Sequence, residues 1–445
     1  MDRSSVESEA RFETYVEALS GVMGHADRAE PLRDYCTGLL LPVDRKSVEP
    51  IAAATAPCEV SAKHQSLLHF VGQAPWLDDA VMAKVRAMVL PAIERSGPVR
   101  AWIIDDTGFP KKGKHSVGVA RQYCGQLGKP DNCQVAVTLS IANAAASLPV
   151  AYRLYLPESW ANDAARCKKA GVPDHIVFQT KPEIAFDQIK AAKTAGIAPG
   201  VVLADAGYGV NTRFRSSVTA LGLSYVMGVQ GSIGVSRGKG RPVSAKRLAM
   251  KLDAHAWKTV TWREGTNTSL TSRFAALRVR PSHRDTPKSK PHPIEWLLIE
   301  WPKGEKEPTK YWLSTMPETI TLKALVDLAK LRWRIERDYQ DLKQEIGLGH
   351  YEGRGWRGFH HHAALCIAAY GFLISERETI PPSGPRRVSK RKASAFPENY
   401  RPRGAPDPNR APHSKFNRNI ASTAHRRPGE KTASVSMLHK SAQHA

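Results

Sequence analysis

The stretch Leu331-Arg-Trp-Arg-Ile-Glu-Arg-Asp-Tyr-Gln-Asp-Leu-Lys343 carries the reading of the fold. It is predicted to be an amphipathic helix. Leu328, Leu331, Ile335, Leu342 and Ile346 repeat near one face at helical spacing. Glu336 and Lys343, two turns apart, share a second face, and Arg332 lies one turn before Glu336 on it. A carboxylate between two cations has two readings. One is a solvated ion-pair ladder, the default for a surface helix. The other is a metal-binding Glu whose basic neighbours hold nucleic-acid phosphates. The rest of the chain bears on the choice.

Two apolar runs upstream behave alike. Val99-Arg-Ala-Trp-Ile-Ile104 leads into Asp105-Asp106-Thr107-Gly108, read as a short buried strand that ends in two carboxylates and a turn. Gly200-Val-Val-Leu-Ala204 leads into Asp205-Ala-Gly-Tyr-Gly209, a second strand ending in an acid and small residues. Ligands of α/β sheets collect at that edge. Buried carboxylates are costly unless a cation pairs with them. Oxygen donors of this kind suit Mg²⁺ or Mn²⁺. A lone Asp at a strand end is a weak signal, since Asp also forms turns and caps. Two such strands with an Arg–Glu–Lys helix, in a chain of net charge +23, make a stronger one.

That charge, with a pI near 9.8, favours a polyanionic partner. No apolar run reaches the roughly 18 residues needed to span a bilayer, so no membrane role is expected. The N-terminus has no apolar signal core and the six cysteines form no Cys-x-x-Cys pair. Reduced thiols in the cytoplasm are the expectation.

Three regions are predicted. Residues 1–96 read as a helical domain open to DNA binding, with helices over Phe12–Met23, Leu32–Leu41 and Val81–Ile93. Arg45, Lys46, His64, His69 and Trp76 are its candidate DNA contacts, against an equal claim as packed or solvated residues. Residues 97–380 read as an α/β domain: strands at 115–123, 134–141, 149–156 and 223–229, helices at 182–195 and 210–221, and a β-rich insertion at about 230–315 with a basic loop at 282–293. An apolar helix at 363–374 follows. Residues 381–445 hold 14 Lys/Arg against 3 Asp/Glu, with nine prolines, and read as a disordered basic tail.

In this order, strand-Asp-x-Thr, strand-Asp-Ala-Gly-Tyr-Gly and Arg-x-x-x-Glu with Lys seven residues on, the chain resembles a DDE transposase with an RNase H-like core. Arg332, Glu336 and Lys343 fit the Tyr–Arg–Glu–Lys signature of bacterial insertion sequences; its Tyr falls at Ala329 here, a departure. Asp105-Asp-Thr-Gly-Phe-Pro-Lys-Lys-Gly113, Leu39-Leu-Leu-Pro-x-x-Arg-Lys-Ser-Val-Glu-Pro50, Leu154-Tyr-Leu-Pro-x-x-Trp160 and Gly355-Trp-Arg-Gly-Phe-His360 are similar to the insertion-sequence 701 family. The likeness runs from about residue 10 to 376.

The resemblance implies a metal-binding triad of Asp105, Asp205 and Glu336, with Asp106 the alternative first carboxylate, and the use of two Mg²⁺ or Mn²⁺ ions. It implies DNA contacts at Arg332 and Lys343, and candidates at Lys111, Lys112, Arg354 and Trp356. The expected activity is cut-and-paste transposition: cleavage at terminal inverted repeats, then strand transfer into target DNA by a homodimer. The alternatives are a catalytically inactive DNA-binding protein derived from a transposase, or an RNA-binding protein. The histidines 360–362 are expected to pack or to touch DNA, since adjacent helical residues point in different directions.

Overall fold

A sheet whose central strands alternate between two apolar faces organises the chain. The computed structural model describes residues 3–380 apart from 239, 265–268 and 283–291. The basic tail at 381–445 and most of the 282–293 loop therefore lie outside the described residues.

Five helices come first: α1 (Arg3–Ser20), α2 (Ala29–Leu40), α3 (Val48–Thr55), α4 (Val60–Gly72) and α5 (Asp78–Arg95). The predicted three are among them, extended at their N-termini; α3 and α4 are additional. Next come β1 (Ala101–Pro110), β2 (Ala120–Cys124), β3 (Lys129–Ala142) and β4 (Ser147–Leu154). The short α6 (Glu158–Ala161) and α7 (Ala164–Lys169) precede α8 (Lys181–Thr194). A Thr180–Glu183 capping box and Pro182 fix the start of α8.

Then follow β5 (Val201–Ala204), α9 (Ala206–Gly209), α10 (Thr212–Ala220) and β6 (Tyr225–Val229). The region read as an insertion contains β7 (Gly234–Ser236), β8 (Val243–Ser244), α11 (Ala245–Ala249), β9 (Lys258–Glu264), β10 (Ser269–Ser282), β11 (Glu295–Trp301) and β12 (Lys310–Ser314). Last come α12 (Leu322–Leu331), α13 (Trp333–Gln344) and α14 (Trp356–Thr379).

The strand order is β2-β3-β1-β5-β6-β12-β11-β10-β7-β8, with β4 on β3 and β9 on β10. The path β4-β3-β1-β5-β6 is an RNase H-like core: β3 is antiparallel to its neighbours, while β1, β5 and β6 run parallel. The β-rich insertion extends this same sheet, because β12 pairs antiparallel with β6.

Period-2 alternation sorts the side chains. On β1, Trp102 and Ile104 join the larger hydrophobic cluster, and Ala101 and Ile103 the smaller. On β5, Val202 and Ala204 take the first side and Leu203 the second. The larger cluster also holds buried residues of α1–α5, α8 and α14, so the N-terminal helices and the last helix share a core with one sheet face. The smaller holds Leu325, Val326, Leu328, Leu331 and Ile335 of α12 and α13.

Two expectations change here. Asp105 and Asp106 do not end a strand: β1 runs on to Pro110, because the long antiparallel β3 keeps pairing with it as far as Cys133. The pairing with parallel β5 does stop at Ile103. The predicted single helix of 331–343 is interrupted at Arg332, which caps both α12 and α13. Leu328, Leu331, Ile335, Leu342 and Ile346 are all buried as expected, but not on a single face: the first three join the smaller cluster, and Leu342 and Ile346, beyond the break, join the larger.

Candidate active site

The parallel register between β1 and β5 builds the site. Ala101 stands beside Val201, Trp102 beside Val202 and Ile103 beside Leu203. The constant offset carries Asp105 to the level of Asp205 just past the last paired residues, on neighbouring strands spaced about 4.8 Å apart. Asp205 caps α9, its Oδ1 accepting from the amides of Gly207 at 2.9 Å and Tyr208 at 3.3 Å. The glycines of this motif let the backbone close up, since a Cβ on Gly209 would collide with the carbonyl oxygen of Gly228 on β6.

Alternation separates the two candidates for the first carboxylate. Asp105 faces α12 and α13, and its Oδ2 accepts from Arg332 Nη1 at 2.8 Å. Asp106 faces the other way and pairs with Lys181 Nζ of α8 at 2.5 Å. Arg332 also donates through Nη2 to Glu336 Oε1 at 2.6 Å. One guanidinium thus ties a carboxylate of β1 to one of α13. Burial pushes the Asp105 carboxyl up to about 7; Arg332 works against this, while Asp205 and Asp106 add to it. Burial also opposes the charge on Arg332, but Asp105, Glu336 and Asp205 outweigh it and raise its pKa.

Helix α13 lies along β1 and is held at three levels. Arg332 meets Asp105. Tyr339 shares a short hydrogen bond with Thr138 Oγ1, and Thr138 pairs with Asp105 in register. Lys343 Nζ donates to the carbonyl of Gly108 at 2.7 Å and sits 4.7 Å from the Phe109 ring. Behind the helix, the fully buried Asp338 accepts from Ser147 Oγ at 2.7 Å and Tyr370 Oη at 3.0 Å. Burial pushes its carboxyl up to about 6. Sequence reading missed Asp338 and Tyr339. Asp338 lies on the helical side turned away from Glu336, while Tyr339, one turn after Glu336, faces Thr138 on β3; the polar groups of both hid their burial.

The donor set suits a hard cation. Asp105, Asp205 and Glu336 supply carboxylate oxygens, and each keeps lone pairs beyond those its hydrogen bonds use. Among the described residues, no three His, Cys, Asp or Glu side chains cluster closely enough to hold an ion. The guanidinium of Arg332 stands between two of the three acids instead.

Several expected DNA contacts are turned inward. Lys343 is desolvated, and burial lowers its pKa to about 8. Lys111 Nζ donates to the Tyr351 carbonyl at 2.8 Å. Trp356 is buried, its ring 4.4 Å from that of His360. Lys46 is buried and caps α2 through the carbonyls of Leu39 and Leu41. Trp76 is buried as well. These groups meet protein partners because strand ends and helix C-termini leave carbonyls that a lysine can satisfy. Lys112 and Arg354 are exposed.

An RNase H-like sheet with acids at the carboxyl edge of its parallel strands defines a nuclease-type α/β protein. The chain matches the family described as DDE superfamily endonuclease over residues 18–269, which hold Asp105 and Asp205, and it belongs to that family. A second match, to a transposase DDE domain, covers residues 182–372 and so Asp205 and Glu336. The chain is also 32% identical over 167 residues to a "Probable transposase for insertion sequence element IS701" from Microchaete diplosiphon. That stretch covers 37% of this chain and 40% of the relative. Members of this superfamily generally use divalent metal ions. No helix among the described residues is long and apolar enough to cross a membrane.

Proposed function

We propose that this protein is a transposase that cuts DNA at the terminal inverted repeats of a mobile element and joins the freed ends to target DNA. The observation that carries this reading is the parallel register that aligns Asp105 with Asp205, with Glu336 tied to Asp105 through Arg332. In this reading Asp105, Asp205 and Glu336 hold two Mg²⁺ or Mn²⁺ ions, and Asp106 serves as the partner of Lys181. Divalent ions held there would supply activation of a water or a 3′-hydroxyl and stabilisation of the leaving oxygen in an in-line displacement.

The chain's own residues do the rest. Asp105, on β1, and Asp205, at the junction of β5 and α9, fix the metal-side geometry. Tyr339 and Lys343 hold α13 along β1, so that Glu336 returns to one place. Arg332 offers a planar fork to a phosphate; Lys112 and Arg354 add exposed charge that positions the duplex without reading sequence. Water is the nucleophile for cutting and a DNA 3′-hydroxyl for joining. The helical region 1–96 is the proposed end-recognition domain, and two copies of the chain would hold the two ends.

The test uses purified wild type, Asp205→Ala and Glu336→Ala with terminal-repeat DNA. Cleavage by wild type in Mg²⁺, its loss in EDTA, and its loss in both variants are expected. Equal cleavage by all three would refute the site.

A further inference from the structure

Both arms of Arg332 are already spent. Its Nη1 lies 2.8 Å from Asp105 Oδ2 and its Nη2 2.6 Å from Glu336 Oε1. An exposed Arg–Glu pair one helical turn apart would mean little by itself. The contact to Asp105 is different: that side chain is 14% exposed and comes from a strand 227 residues away, so the guanidinium joins two elements. Among the described residues, Glu336 has no other hydrogen-bonded partner, although its side chain is 60% exposed. Arg332 is its tether to the site.

We infer that Arg332 is the internal counter-ion of this carboxylate site, competing with a divalent cation for Asp105 and Glu336 until a DNA phosphate draws it away. The inference rests on the reading of Asp105, Asp205 and Glu336 as a cation site.

First, a guanidinium and a dication held by the same two carboxylates compete, since the two positive charges repel at close range. Second, a guanidinium does not deprotonate in the working pH range. It leaves the carboxylates only if another anion accepts its fork, and a phosphodiester is suited to that bidentate geometry. Third, the backbone of Arg332 is helical, φ −54° and ψ −27°, between two packed helices. The exchange then needs only a side-chain rotation. Coupling of this kind is reciprocal: DNA tightens cation binding and the cation tightens DNA binding. The free protein holds its cation weakly, which limits metal-dependent cutting to the DNA complex.

The measurement is Mn²⁺ binding to the full chain, read from the electron paramagnetic resonance of free Mn²⁺. It is made with and without a short DNA duplex, with Mn²⁺ uptake by the duplex alone subtracted. Without DNA, Arg332→Gln is expected to bind Mn²⁺ about tenfold tighter than wild type. Arg332→Lys, which cannot bridge two carboxylates with one fork, should fall between them. The duplex should tighten Mn²⁺ binding to wild type and change that of Arg332→Gln little. Asp205→Asn should weaken binding in both backgrounds. If folded Arg332→Gln and Arg332→Lys bind Mn²⁺ no tighter than wild type, or if the duplex helps them equally, the inference is overturned while the cation site stands. If no form binds Mn²⁺ even with duplex, the cation site itself falls, and the inference with it.

Discussion

Three adjacent histidines and three scattered carboxylates make opposite use of sequence distance. His360, His361 and His362 are neighbours in the chain, yet α14 aims them at three different partners. His360 accepts from the Leu154 amide on β4 and contacts its own helix at the Trp356 carbonyl. His361 lies 3.5 Å from the Trp76 ring, between the carbonyls of Val71 and Trp76. His362 accepts from Tyr35 Oη and meets the Gly347 carbonyl. All three are buried, and burial lowers the pKa of each, to about 4 for His361 and His362. Asp105, Asp205 and Glu336 are far apart in the chain, yet a parallel register and one guanidinium bring them to a common edge. The lesson is geometric. A helix turns by about 100° per residue and scatters adjacent side chains, whereas parallel strands in register align residues separated by a whole βα passage.

The sharpest way to break this contrast is to remove one member of each group. Asp205→Ala or Glu336→Ala should lower Mg²⁺-dependent cleavage of terminal-repeat DNA by several kcal/mol in barrier, about a thousandfold or more. His361→Ala and His362→Ala should keep cleavage per folded molecule near wild type. A histidine variant that folds and yet loses Mg²⁺ dependence would end the comparison.

Stability should show the reverse. His362→Ala strips partners from the Tyr35 hydroxyl and the Gly347 carbonyl, and is expected to cost about 1–3 kcal/mol in chemical denaturation. Asp205→Ala removes a carboxylate from an edge crowded with acids and should cost less.

The pH dependence sharpens the contrast by sign. The Asp105 carboxyl rises from 3.8 to about 7 on folding, so its contribution to stability is full at acid pH and is lost as pH rises through 7. His361 and His362 fall from 6.5 to about 4, so theirs is full above 6.5 and is lost as pH drops toward 4. In denaturation series from pH 4 to pH 7, Asp105→Asn should therefore steepen the acid loss of stability. His362→Gln should flatten it. Shifts in the same direction for both variants would refute the assignments.

The smallest effect concerns two neighbours in one loop. Lys112 is exposed and Lys111 is bonded to the Tyr351 carbonyl. Lys112→Ala should weaken DNA binding alike for all sequences and reduce the salt slope by about 1. Lys111→Ala should lower stability with less change in that slope. Titration of DNA binding against salt separates them.

Some of this was legible in the chain and some was not. Val201–Ala204 reads as a strand, and Leu328, Leu331 and Ile335 read as one helical face, because a buried surface imposes its own period. Asp105-Asp-Thr-Gly108 misled, since its turn-forming composition gave way to pairing with β3, a partner no local pattern reveals. Lys343, Lys111 and Trp356 misled for a related reason. A basic or aromatic residue looks the same in sequence whether it meets a phosphate or an unpaired carbonyl.

The sequence by itself determined the apolar runs that open β1 and form β5, the burial of the apolar positions of the late helices, the strong positive charge, and which acids follow apolar runs. It did so because local propensity and burial leave their mark on neighbouring residues. Only the tertiary structure decided that Asp105 faces Arg332 while Asp106 faces Lys181, and that one guanidinium spans two carboxylates. Alternation tells that adjacent strand residues point apart, but which side each one takes depends on the helices that cover the sheet.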